Sequence, residues 1–148
     1  MKISTKGRYA LRMLVDLTIN IDNGFIALKD IAERQDISKK YLEQIVPLFN
    51  GTGILVAGRG FQGGYKLAKG GEMTTVAEIL RITEGSITPV PCLEGRVNQC
   101  DRCDKCETLY VWEGLEKTIS TYLEGITLKD IADKQRRASR SRDNIVLL

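Results

Sequence analysis

The stretch from Leu28 to Leu67 leaves this chain few folds to choose from. LKDIAERQ (28–35) puts Leu28, Ile31 and Ala32 on one side of a short helix. DIS (36–38) is a tight connection, and Ser38 is a good N-cap for the next helix, KKYLEQIVPLFN. There Leu42, Ile45, Val46 and Phe49 recur at helical spacing, and Gly51 and Gly53 stop the run. Pro47 removes a backbone donor and clashes with the carbonyl of Glu43, so a kink or an early end is expected at that point. ILVAGRGFQGGYKLA (54–68) follows as two β-prone runs around Gly60, Gly63 and Gly64, which is a hairpin pattern.

Helical patterns flank this unit. STKGRYALRMLVDLTIN (4–20), capped by Ser4 or Thr5, has a broad apolar face with Leu11, Leu14 and Val15, and DNG (22–24) ends it. TTVAEILRITEG (74–85) is a further helix, capped by Thr74 or Thr75 and ended at Gly85. Residues 86–106, with Pro89 and Pro91, are loop-like. From about Glu107 to Glu124 the apolar positions Leu109, Trp112, Leu115, Ile119, Tyr122 and Leu123 form a stripe on a long helix. That stripe either packs on the domain or pairs with its twin in a dimer. LKDIADKQ (128–135) echoes residues 28–35 with no hairpin after it, so it reads as the same helix start used twice. The basic residues 134–148 read as a disordered tail.

Three helices, the second and third joined by a short turn, followed by a glycine-tipped hairpin, describe a winged helix-turn-helix. The expected fold is mainly α with a small β-hairpin wing. A DNA-binding domain would span 1–85, a cysteine-rich loop 86–106, a long helix and a short C-terminal helix 107–133, and the tail 134–148. The third helix would enter a major groove, presenting Ser38, Lys39, Lys40, Tyr41, Glu43 and Gln44. Lys39 and Lys40 can meet phosphates, and Gln44 can pair with an adenine. Glu43 is repelled by phosphate; it can accept from the amino group of a cytosine or disfavour sites lacking one. Arg59 and Gln62 flank a tip narrow enough for the minor groove. Lys2, Lys6 and Arg8 can hold the backbone.

Charge agrees with such a division. Residues 1–69 carry eleven Lys/Arg against six Asp/Glu, whereas residues 70–133 carry six against twelve. The basic half suits a polyanion, although a merely solvated surface shows the same imbalance. No apolar run approaches the roughly 18 residues that span a bilayer. The N-terminal stretch lacks the apolar core of a signal peptide, so no membrane partner is expected and the cytoplasm is the expected compartment.

All four cysteines fall within fifteen residues, CLEGRVNQCDRCDKC (92–106), and there is no histidine. Reduced cytoplasmic thiols disfavour a disulfide framework, and the polar neighbours disfavour buried structural cysteines. Cys100, Cys103 and Cys106 are each two residues apart, with Cys92 remote. Zinc would take four thiolates as a closed structural site. The overlapping C-x2-C-x2-C run is better known from iron–sulfur proteins. A 2Fe–2S cluster or a 4Fe–4S cubane could use all four, or three with an oxygen ligand from Asp104 or Glu107. An electron carrier or redox enzyme is a weaker reading. No nucleotide or flavin fingerprint is present, and GRGFQGG falls in a hairpin rather than between a strand and a helix.

MKISTKGRYALRMLVDL, LKDIAERQDISKKYLEQIV, GRGFQGGYKLAK, TTVAEILRITEGSITPVPC and DKCETLYVW resemble the Rrf-two family of bacterial winged-helix regulators, in its iron–sulfur cluster regulator (IscR-like) branch. The resemblance covers roughly residues 1–131. It implies a homodimeric transcription factor rather than an enzyme, with 107–124 as the dimerisation helix and an operator in double-stranded DNA. It carries DNA contacts onto Ser38, Tyr41, Glu43, Gln44, Arg59 and the wing glycines Gly63 and Gly64. Cluster ligation carries over onto Cys92, Cys100 and Cys106, with 2Fe–2S the favoured form. The branch commonly places a histidine where this chain has Leu109, and Cys103 is extra, so Cys103 is the expected fourth ligand. The nitric-oxide-sensing cousins place an aspartate ligand where Arg8 stands. Implied targets are iron–sulfur assembly and cysteine-desulfurase genes, with iron–sulfur donor proteins as further partners. The alternative is a zinc-stabilised regulator answering nitric oxide, thiol redox or cysteine metabolism.

Overall fold

The computed structural model describes residues 2–146, excepting the side chains of 143–146. Helix α1 (Thr5–Ile19) starts at Ser4, whose hydroxyl accepts the Gly7 amide at 3.1 Å. Its Ala10, Met13, Leu14 and Leu17 are fully buried and form the spine of the core. Helix α2 (Leu28–Gln35) buries Leu28 and Ile31 and ends at Asp36, which adopts a left-handed conformation (φ 50°). That turn drops Ile37 into the core and hands the chain to Ser38, which caps helix α3 (Lys39–Ile45) by accepting the Tyr41 amide at 3.1 Å. The early end expected at Pro47 is observed. The α-helix stops at Ile45, and a tighter 3-10 turn over Val46–Phe49 takes the proline in its first turn, where the missing donor costs nothing. Val46 and Phe49 still reach the core.

Strands β1 (Leu55–Gly58) and β2 (Gly64–Leu67) pair antiparallel, Leu55 opposite Leu67 and Gly58 opposite Gly64. An isolated bridge between Ile26 and Tyr65 joins the hairpin to the segment entering α2. Gly64 makes this approach feasible, since a Cβ there would overlap the Ile26 carbonyl. Helix α4 (Val76–Glu84) opens with a capping box in which Thr75 and Glu78 satisfy each other's backbone amides. Val76, Ala77 and Leu80 form a second small cluster with Ile87, just beyond the helix.

Helix α5 (Leu109–Glu124) contains no buried residue in the single chain. Helix α6 (Leu128–Val146) runs back along α1, burying Leu128 and Ala132. Thr127 and Asp130 form the equivalent of a capping box at its start, which Ala27 does not provide for the matching sequence at 28–35. The tail expected to be disordered from residue 134 is instead continuous helix through Val146; residues 147 and 148 lie outside the described residues. No glycine or proline interrupts 126–146. Asp133 pairs with Lys129 at 2.6 Å and Arg136 at 3.2 Å, both at helical spacing. Arg136 also donates to the carbonyls of Thr18 and Ile19, capping the end of α1 and locking α6 onto it. Among the described residues no helix is long and apolar enough to cross a membrane.

Candidate nucleic-acid interface and cysteine loop

α3 is held against α1 by an aromatic edge contact, Tyr9 to Tyr41 at 5.4 Å between centroids. The Arg12 guanidinium lies over the other part of this arrangement, 5.4 Å from the Tyr9 ring, and donates to Gln35 at the end of α2. Tyr41 is therefore half-buried and serves to set the pose of α3, whatever its hydroxyl reaches. Ser38, Lys39, Lys40, Glu43 and Gln44 are exposed on the free side of the same helix. Glu43 pairs with Lys39 at 3.2 Å, one turn back, so the carboxylate that phosphate would repel carries its own cation. Lys6 and Arg8 sit on the first turn of α1, with Arg8 donating to Thr5 at 3.0 Å. The Tyr9–Tyr41 contact brings that turn beside the first turn of α3.

The wing projects Arg59, Gly60, Phe61 and Gln62, all exposed, with Gly63 and Gly64 half-buried at its shoulder. The Gly63 amide donates to the Gly60 carbonyl at 3.0 Å and closes the tip. At its base the Lys66 ammonium stands 4.6 Å from the Phe25 ring, which stiffens the hairpin where it joins the domain. Sequence reasoning had singled out Arg59 and Gln62 and passed over Phe61 between them. It also passed over Tyr9 and Arg12, whose role depends on a contact 23 to 32 residues away along the chain.

The cysteines lie on the surface beyond α4. Cys100 is exposed, and Cys92, Cys103 and Cys106 are half-buried. The amide of Cys103 donates to the Cys100 carbonyl at 3.0 Å and that of Cys106 to the Cys103 carbonyl at 3.4 Å. Two consecutive four-residue turns, 100–103 and 103–106, thus realise the C-x2-C-x2-C spacing, a geometry in which side chains three apart tend to align. Local desolvation and the Asp104 carboxylate, 3.7 Å from its sulfur, push the Cys103 thiol up. The Thr108 hydroxyl, 3.6 Å from Cys106 Sγ, holds that thiol below its usual range, favouring thiolate. The same hydroxyl accepts from Trp112 Nε1 at 3.3 Å, which ties Cys106 to the first turn of α5. Four accessible thiols fit a thiolate-bound metal or cluster in donor chemistry. Among the described residues, however, no three Cys, Asp or Glu side chains converge on one point. The donor set is present and its cage is not preformed.

Known proteins resemble this chain over most of its length. A family model described as "Rrf2: Iron-dependent Transcriptional regulator" matches residues 3–134. A putative HTH-type transcriptional regulator of Haemophilus influenzae is 36% identical, over 99% of both chains. The HTH-type transcriptional regulator IscR of Cronobacter sakazakii is 34% identical, over 91% of this chain and 82% of its own. Among solved structures, T. potens IscR superposes with a TM-score of 0.72 at 35% identity, covering 93% of this chain and 90% of that one. CymR, the global cysteine regulator of B. subtilis, does so with a TM-score of 0.72 at 31% identity, covering 90% and 98%. The chain belongs to the Rrf2 family of winged-helix, DNA-binding transcriptional regulators.

Proposed function

We propose that this regulator works as a cytoplasmic homodimer that reads duplex DNA with α3 and the wing and reports iron–sulfur status through residues 92–106. The observation that carries the reading is the confinement of every cysteine to one accessible loop between the DNA-binding head and α5. On the DNA side, Lys6, Arg8, Lys39 and Lys40 face phosphates, and Ser38 and Tyr41 fix the start of α3. Gln44 and Glu43 address base edges, with Lys39 holding Glu43 in place. Arg59 and Gln62 enter the minor groove, and Gly63 and Gly64 let the wing backbone come close. α5 offers Tyr110, Val111, Leu115 and Tyr122 to a second copy, since nothing in its own chain buries them.

Cys92, Cys100 and Cys106, with Cys103 as the fourth thiolate, are the residues that would hold an iron–sulfur cluster, 2Fe–2S by preference or 4Fe–4S. Bound there, the cluster supplies an iron centre labile to oxygen and to changes of redox state. The ends of the loop are anchored on different helices. Ile87 is buried against α4, while the Leu109 amide donates to the Cys106 carbonyl at 3.3 Å at the foot of α5. Closing the loop would therefore draw Cys92 toward α5 and bias the placement of the head on the dimer helix. Genes for iron–sulfur assembly or cysteine desulfuration are the targets this signal would serve, with iron–sulfur donor proteins as suppliers.

Absorption and Mössbauer spectra of anaerobically purified protein, and of each Cys→Ala variant, test the reading. Coloured protein whose colour is lost in Cys92→Ala is the expected result. A colourless protein holding one zinc per chain would overturn it in favour of a zinc-stabilised regulator answering nitric oxide, thiol redox or cysteine metabolism. The equal likeness to the cysteine regulator CymR, with a TM-score of 0.72 for each, is what favours that second reading.

A further inference from the structure

Phe61 is the most exposed large hydrophobic side chain among the described residues, at 106% of its reference area. It stands at the apex of the wing, between Arg59 and Gln62, and packs on nothing. The turn does not need it, because the Gly63–Gly60 hydrogen bond closes the tip and the Ile26–Tyr65 bridge fixes the root. Hairpin tips draw on Gly, Asn, Asp and Ser, whose backbone or side-chain chemistry makes the turn, and a phenyl ring does none of this. Scattered exposed apolar residues are ordinary on protein surfaces. A fully solvated ring on a hydrogen-bonded tip, flanked by a guanidinium and an amide, is placed where it can meet something flat and apolar.

We propose that Phe61 is a minor-groove wedge, inserting its ring part-way between two base pairs while Arg59 and Gln62 line the groove beside it. This rests on the proposed wing–DNA contact. Apolar side chains inserted from the minor groove unstack a base step and kink the duplex toward the major groove. Pyrimidine–purine steps unstack most readily, so the wing should favour such a step at its point of entry. The specificity would come from the energy of deforming DNA rather than from a hydrogen bond to a base.

The test uses duplexes enriched from a random-sequence pool by the full-length wild-type protein, with 2-aminopurine placed at the step facing the wing. Wild type should raise the 2-aminopurine fluorescence and bend the duplex, as read by energy transfer between its ends. Phe61→Ala should weaken binding roughly tenfold and abolish both signals, with Phe61→Leu between the two. Because no charge is lost, the salt dependence of binding should stay unchanged in Phe61→Ala, whereas Arg59→Ala should reduce its slope by about one. Phe61→Ala that binds, bends and unstacks like wild type would overturn the wedge and leave the DNA reading standing. A wild-type protein that enriches no duplex would overturn both. Circular dichroism should be the same for all variants, since Phe61 has no packing to lose.

Discussion

The Ser4 hydroxyl donates to Glu84 Oε1 at 2.7 Å while accepting the Gly7 amide at 3.1 Å. One side chain thus caps α1 and ties it to the last residue of α4. Glu84 stands immediately before the segment that leads to the cysteines, so the first turn of α1 and the root of the loop share a single carboxylate. Gly7 permits this, because a Cβ there would overlap the Glu84 carboxylate.

Gly7→Ala should therefore push Glu84 aside and break the link. Losing a hydrogen bond to a charged, partly exposed acceptor costs about 1–2 kcal/mol. Replacing glycine by alanine inside a helix returns roughly 0.8–1 kcal/mol. The single substitution is expected to be close to neutral or mildly destabilising. In a Glu84→Ala background the clash and the bond are both gone, and the same change should become stabilising by up to about 1 kcal/mol. The Thr83 hydroxyl, 3.2 Å from the added Cβ, trims that gain. Urea midpoints of the four proteins give the coupling, and additive effects would show that residues 7 and 84 do not interact.

Asp16 is the buried carboxylate of the core, 3% exposed, and it is fully used. Arg34 grips it in a bidentate pair at 2.6 and 3.0 Å, and Gln35 donates to it at 3.0 Å. The carboxylate raises the Arg34 pKa further above its already high value. Arg34→Ala would strand a charge inside the α1–α2 contact. Breaking a fully buried pair costs about 3–5 kcal/mol; with Arg34 itself 41% exposed, about 2–3 kcal/mol is expected. Arg34→Met should cost a similar amount, since the fault lies in the unpaired carboxylate rather than in lost packing. Chemical denaturation reads both, and a loss below about 0.5 kcal/mol would mean that water or Gln35 suffices for Asp16.

Much of this was legible in the sequence where local chemistry decides. Ser38 before KKYLEQ, Pro47 after Ile45, and glycines around a β-prone pair each act within a few residues, and the structure places caps, stop and hairpin accordingly. What escaped notice was tertiary. Tyr41 looked like a DNA contact because it sits at the start of α3, yet its ring also braces Tyr9. The tail looked disordered because it is basic. Its helix is held by a capped start at Thr127, by Asp133 pairs and by Arg136 on the end of α1, none of which composition shows. The cysteine spacing read as a ligand set around one centre; the consecutive turns that carry it, and the failure of the thiols to converge, are properties of loop geometry that spacing alone does not determine.

The start of α6 should titrate. The Asp130 carboxylate accepts from the Thr127 amide at 2.9 Å and its hydroxyl at 2.7 Å, and the amide bond foremost holds its pKa below the usual carboxylate range. A carboxyl whose folded pKa is depressed contributes stability above the unfolded value, about 3.9, and loses it as pH falls through the folded one. The difference in urea midpoint between wild type and Asp130→Asn should then be constant from pH 8 to about pH 5 and shrink below about pH 4. Asp133, held low chiefly by Lys129, is present in both proteins, and its repulsion is the smallest of the influences on Asp130. A difference that persists undiminished at low pH would assign the effect to geometry instead of charge.

α5 carries the sharpest expectation about assembly. Its Leu115 is 42% exposed and its Tyr110 75% exposed in the single chain, on a helix that buries none of its own residues. Leu115→Glu places a charge in the middle of that face. If a second copy covers it, burying an unpaired carboxylate is prohibitive, and sedimentation equilibrium should show a monomer. The helix content should hold, because Leu115 packs in neither core cluster of the single chain. Operator affinity should fall by at least about a hundredfold, since two linked heads bind two half-sites far more tightly than one head binds one. A Leu115→Glu protein that remains dimeric would move the interface off α5.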